Sequence, residues 1–499
     1  MGDHGSTRPQ SPRFKLVLAD RSLSSYDVAL VKNAAEPLYA QLYTQLRAAI
    51  VAGDRRIAGA RLPSSRELAG EFGVSRNTVV LAYQRLQEDG FVRGMAGGGT
   101  VVADLPPLAC DPPAPEPVVA AVPATVERAP YGLPNSAFPV GVPPVDLFPT
   151  ALWAGLTSRR LRASGVRVLL GSGRLGYRPL REAIAGYLWV VRGIRCSPDQ
   201  VIVTRGLGAG LDLLGRALLR AGDRVWCEEP GYYPGWDALA RHGVRRDPVP
   251  VDTDGLDVAA GRAMAPEAAM ALVSAACQMP LSVTMTAQRR TQLLDHARGT
   301  GMWIVEHESD TPFLGRHASR PLVADDPDGR VIHVGSFDTV LFPQLHVGYC
   351  VVPVGLIDPV GRVLCESGAQ ASGLTQAVLS DFLNHHRFAR FMMRITSACT
   401  SRRDALRDAL LRLPGTPLAM IGDGGRGACL TALFSRDVRE DALLADAARL
   451  SLRLEPLSRY FSTPAPATAG LLLGCAAARE EAIGPAVRLL AGLLRRHGS

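Results

Sequence analysis

The chain has 499 residues, 47% hydrophobic and 20% charged, with a net charge of +8. That length predicts two to four domains with sizeable cores, and the composition excludes a disordered or fibrous chain. With no apolar run of about 18 residues and no N-terminal signal pattern, it points to a cytoplasmic protein without a membrane span.

Nine cysteines lie far apart, with no CxxC or Cys/His cluster, which argues for a reducing compartment and against a metal site. Residues 1–34 are polar and read as an irregular, loosely held arm. Pro37 opens a helix with Leu38, Leu42, Leu46 and Ile50 at spacing four, ended by Gly53. Ser64, three residues before Glu67, starts a capping box for a short helix with an apolar stripe of Leu68, Ala69 and Phe72. Gly73-Val74 breaks the chain, and Ser75 caps a second helix, Arg76 to Asp89, whose Val79, Tyr83 and Leu86 face one side. Two β-prone runs, 91–93 and 100–102, then flank a glycine-rich tip. Helix, three-residue turn, helix and hairpin form the winged helix-turn-helix pattern, whose second helix enters the DNA major groove. A helical hairpin that never meets DNA has the same outline. The chemistry of Ser75, Arg76, Asn77 and Thr78, all suited to phosphates or base edges, favours DNA.

The run LPSSRELAGEFGVSRNTVVLAYQRLQEDGFVRGMAGGGTVVA, residues 62–103, resembles the DNA-binding domain of the GntR family. The resemblance implies that Arg66, Ser75, Arg76, Asn77 and Thr78 contact a double-stranded operator, with Gly97 at the wing tip. Relatives often carry Arg-Pro before the wing glycine, where this chain has Met95-Ala96.

Residues 105–135 are rich in proline and alanine, a composition that predicts a semi-rigid linker between a head, 35–104, and a body, 136–499. The body alternates short apolar runs with helical patterns. The runs begin at Val201, Arg224, Ala271, Trp303, Val331 and Gly348; one of the helices is 287–298. Runs apolar on both faces predict a parallel or mixed α/β sheet covered on both sides. From Arg387 the pattern becomes α+β and ends in a helix over 481–496. The expected fold is multidomain: a small winged helix-turn-helix head and an α/β body with an α+β C-terminal part.

Several body segments, in order, resemble a type I aminotransferase. Among them are Gly176-Tyr177-Arg178-Pro179-Leu180-Arg181, Pro230-Gly231-Tyr232, Cys277-Gln278-Met279-Pro280 and Leu341-Phe342-Pro343. With the head, they make the chain similar to the MocR subfamily of regulators over nearly its whole length. A pyridoxal phosphate enzyme needs a lysine for the Schiff base and an acid beside the pyridine nitrogen. The subfamily segment "GTFSKTLFPALRLGY" is here 335–349, with Thr339 in the lysine position, Asp338 for a serine near the phosphate, and His346 for an arginine. In the acid segment "EDDYDSEF", His307 and Glu308 replace the aspartates and Ser309 the tyrosine. Lysine occurs at Lys15 and Lys32 and nowhere later. The resemblance thus implies a degenerate pocket of Tyr232, Gln278, Glu308, Thr339 and His346, with covalent pyridoxal phosphate disfavoured. It also implies a catalytically inactive body that serves homodimerisation, with three triggers open: non-covalent pyridoxal phosphate, another small molecule in the remodelled pocket, or no ligand at all. The alternative is a pyridoxal phosphate-dependent aminotransferase-like enzyme or a cofactor-responsive regulator.

Gly206, Gly208 and Gly210 follow a strand and open a helix, so they fit an anion cradle or an ordinary tight turn. Glu306, His307 and Glu308 invite a metal reading, but neighbours along a strand face opposite ways and do not converge.

Overall fold

A computed structural model of the chain describes residues 13–17, 25–32, 34, 36–53, 58–95, 99–104, 137–164, 170–308, 313–315, 318–413, 417–421, 427–462 and 468–498. Two compact units divide it, Met1–Glu127 and Arg128–Ser499. The linker expected over 105–135 and the wing-tip Gly97 lie outside the described residues.

In the first unit, β1 (Arg13–Val17) pairs antiparallel with β2 (Ser25–Ala29). This ladder departs from the irregular arm expected over 1–34. Its register sets Phe14 opposite Val28 and Leu16 opposite Tyr26, a period-two alternation that polar flanking sequence obscures. Three helices follow: α1 (Leu38–Gly53), α2 (Ser65–Phe72) and α3 (Arg76–Glu88). The wing is β3 (Val92–Met95) paired antiparallel with β4 (Gly99–Val102). Residues before α2 extend it: Leu62 N–H donates to Thr100 O at 2.9 Å, and Val102 N–H to Ala60 O at 2.9 Å. Leu42, Leu46, Leu68, Val79, Ala82 and Leu86 make the fully buried centre of this head.

The second unit opens with α4 (Thr150–Ser164), α5 (Arg178–Arg192), β5 (Val201–Thr204) and α6 (Leu207–Leu218). It continues through β6 (Arg224–Glu229), α7 (Tyr233–Ala240), β7 (Arg245–Asp252), β8 (Gly255–Leu256), α8 (Val258–Met264) and β9 (Met270–Val273). Then come α9 (Ala287–Thr300), β10 (Trp303–Glu308), β11 (Val331–Ser336) and β12 (Gly348–Val351). The eight strands lie in the order β5-β12-β11-β10-β9-β6-β7-β8. From β11 through β7 the neighbours are parallel; β12 runs antiparallel to both of its neighbours. Strands β5, β9, β11 and β12 are buried along their whole length, as a sheet covered on both faces requires.

Helices α10 (Ile357–Ser367), α11 (Gly373–Leu383) and α12 (Phe388–Leu411) lead to the C-terminal part. There β13 (Leu418–Met420), β14 (Cys429–Phe434), β15 (Glu455–Pro456) and β16 (Gly470–Gly474) form an antiparallel sheet in the order β13-β14-β16-β15. With it pack α13 (Glu440–Arg449) and the last helix, α14 (Glu480–His497). Among the described residues no helix is long and apolar enough to cross a membrane.

Candidate DNA-reading groove and degenerate cofactor pocket

The head positions its polar residues by local geometry. The Ser64 hydroxyl accepts from Glu67 N–H at 3.2 Å and the Glu67 carboxylate accepts from Ser64 N–H at 2.8 Å, which fixes where α2 begins. Gly73 ends α2 at φ 59°, a left-handed turn that a side chain would strain, and so aims α3 across it. Ser75 caps α3 by accepting from Thr78 N–H at 3.1 Å, and the two hydroxyls lie 2.8 Å apart. Arg76 donates from Nε to Ser65 Oγ at 3.3 Å, which holds its guanidinium beside the start of α2.

Arg66, Ser75, Arg76 and Asn77 are exposed, and Thr78 is half-buried. Arg66 and Arg76 share a groove of about 880 Å³ with Arg61, Val80, Gln84 and Thr100. Sequence reasoning did not name Arg61, Val80 or Gln84. For the last two the signal was available, because positions 76, 80 and 84 fall on one face of a helix. Arg61 was not legible, since only its isolated bridge to Val101 of β4 brings it against Gly99.

In the body, the expected pocket residues separate. Tyr232 precedes α7, and its ring centroid lies 5.1 Å from that of His307 on β10. His307 is buried, its Nδ1 has no hydrogen-bond partner among the described residues, and burial pushes its pKa down to about 4. It is therefore neutral at pH 7, without the negative charge a carboxylate would carry there. Gln278 is fixed by its surroundings: its amide donates to Pro230 O at 2.6 Å and Met279 O at 2.9 Å, and its oxygen accepts from Leu281 N–H at 3.1 Å. Thr339 is partly buried and donates to Ser336 O at 3.4 Å.

Glu308 and His346 make other contacts. Glu308 follows His307 on the strand and so faces the other side, where it pairs with buried Arg192, whose Nε lies 3.1 Å from both carboxylate oxygens. His333 Nε2 is 3.8 Å from Glu308, and His333 Nδ1 is 3.5 Å from Glu306, so this acid belongs to a buried ionic cluster. His346 is exposed in a left-handed backbone conformation and its ring meets Gln344 at 3.2 Å.

Asp338 stands at the start of α6. Gly206 caps α6 without a side-chain bond, and a Cβ placed on Gly206 would lie 2.6 Å from Asp338 Oδ2. The other oxygen accepts from Val347 N–H at 3.0 Å. Burial pushes the Asp338 carboxyl up to about 6, against the pull of the Val347 and Ser336 hydrogen bonds. The glycine-rich turn thus meets an acidic side chain of the same chain at the helix N-terminus.

These features define a winged helix-turn-helix head joined to a body of mixed α/β architecture. Residues 38–102 match the family of bacterial regulatory proteins named gntR. Over 460 residues the chain is 35% identical to the probable rhizopine catabolism regulatory protein MocR of Rhizobium meliloti, covering 90% of this chain and 92% of that one. It is 31% identical over 445 residues to the HTH-type pyridoxine biosynthesis transcriptional regulator PdxR of Corynebacterium glutamicum, covering 87% and 92%. The body is similar to an archaeal alanine:glyoxylate aminotransferase, with a TM-score of 0.67 at 22% identity over 73% of this chain and 92% of that one. It is likewise similar to LysN, an α-aminoadipate aminotransferase of Thermus thermophilus, with a TM-score of 0.66 at 24% identity over 73% and 92%. At such identities the likeness speaks for the fold alone. The chain belongs to the MocR subfamily of GntR-family transcriptional regulators.

Proposed function

We propose that this regulator is a cytoplasmic homodimer that binds a double-stranded operator sequence-specifically through α3, and that its body is catalytically inactive. The body would serve dimerisation and the sensing of a small molecule other than covalently held pyridoxal phosphate. The observation that carries the inactive body is the lysine distribution: none follows Lys32, so the body has no amine for an imine. The pocket argues the same way. Pyridoxal phosphate would bring a dianion to the start of α6, where Asp338 already stands, and would set its ring nitrogen against neutral His307. The residues present do not fit that cofactor.

For the head, the arginine-lined groove beside α3 supports base and phosphate contact. Arg76→Ala should weaken binding to a selected operator by about 1–3 kcal/mol and relax its sequence preference. Unchanged affinity and footprint would remove α3 from the role of reading helix.

A further inference from the structure

Along the groove face of α3 stand Arg76, Val80 and Gln84, one turn apart. Val80 is the apolar member of that face. It is 38% exposed, while Val79 beside it is fully buried, so α3 holds one valine in the core and offers the next to solvent. Arg61, Arg66 and Arg76 line its groove against one acid, Glu67, whose carboxylate accepts from Ser64 N–H, so the groove suits a polyanion. Within the major groove of DNA the apolar group on a base edge is the thymine methyl; guanine offers two acceptors to arginine, and adenine a donor and an acceptor to glutamine.

We infer that Val80 is a specificity-determining residue that packs on a thymine methyl, between a guanine read by Arg76 and an adenine read by Gln84. This rests on the DNA-binding reading and adds to it the bases and their order. Four residues of helix advance about 6 Å. That is close to two base-pair steps at about 3.4 Å each, so the three bases fall within about five base pairs of a half-site.

The test uses the full-length protein and an operator selected from random duplex DNA, with each thymine of one half-site replaced in turn by uracil, which lacks the methyl group. Wild-type protein should lose about fourfold affinity at one thymine, the worth of one buried methyl. Val80→Ala, a change at an exposed position, should show a smaller preference for thymine over uracil than wild type, since alanine keeps only one methyl for the contact. Gln84→Ala should keep the thymine preference and lose selection for the neighbouring adenine. Tight, selective wild-type binding that is indifferent to uracil at every position would overturn the inference and leave DNA binding intact. So would a Val80→Ala protein with undiminished thymine preference. Failure to select any sequence at all would overturn the DNA-binding reading itself.

Discussion

Asp338 holds one carboxylate oxygen on Val347 N–H, sets the other against Gly206, and titrates near 6 because burial penalises its charge. Its ordinary value is 3.8. A carboxyl that binds its proton more tightly in the folded protein contributes stability that is full below the unfolded value and is lost as pH rises through the folded one. At pH 8 the ionised side chain therefore opposes folding. Asp338→Asn, which can still accept from Val347, should stabilise the body by about 1–3 kcal/mol at pH 8. The gain should shrink toward pH 5, read as the difference in thermal unfolding midpoints; an equal gain at both pH values would contradict this linkage. Substitution of Asp338 for a serine near an anion site was legible in the sequence. Its contact with Gly206, 132 positions earlier, was not, because only the sheet order, with β12 set between β5 and β11, brings the ends of these strands together. Glu308 teaches the complementary lesson. Strand alternation alone separates it from His307, but its partner Arg192 comes from a helix 116 residues away and has no local signature.

At the scale of elements, legibility followed locality. Ser64 and Glu67 are three apart, and their reciprocal bonds form as the spacing predicts. Ser64→Ala should lower the unfolding midpoint of the head by about 4–8 °C, the usual effect of losing a helix cap in a domain of this size. A midpoint unchanged in the variant would mean that packing, not capping, sets the start of α2. The capped helices and the short apolar strands of the sheet were readable for the same reason. Two ladders were not. Strand β7 contains Pro248 and Pro250, residues that read against a strand, and it is tolerated near the sheet edge beside the two-residue β8. Strands β1 and β2 are five residues each in a polar stretch, and their pairing is a non-local fact.

For the whole molecule, the head and the body carry opposite kinds of information. The head presents arginines and a reading helix of familiar pattern. The body has an aminotransferase-like fold, and on the reading proposed above the positions that would hold the cofactor carry Thr339, neutral His307 and Asp338 instead of a lysine, an acid and a serine. On the proposed reading this body acts by binding and dimerisation without catalysis, which is all that regulation by mass action requires. The most direct measurement is incubation of the full-length protein with pyridoxal phosphate, reduction with borohydride, and intact mass with peptide mapping. The expected result is no saturable adduct, with at most trace labelling of Lys15 or Lys32. A stoichiometric, saturable adduct on either lysine would contradict the account, because it would mean that the N-terminal arm completes a working cofactor site.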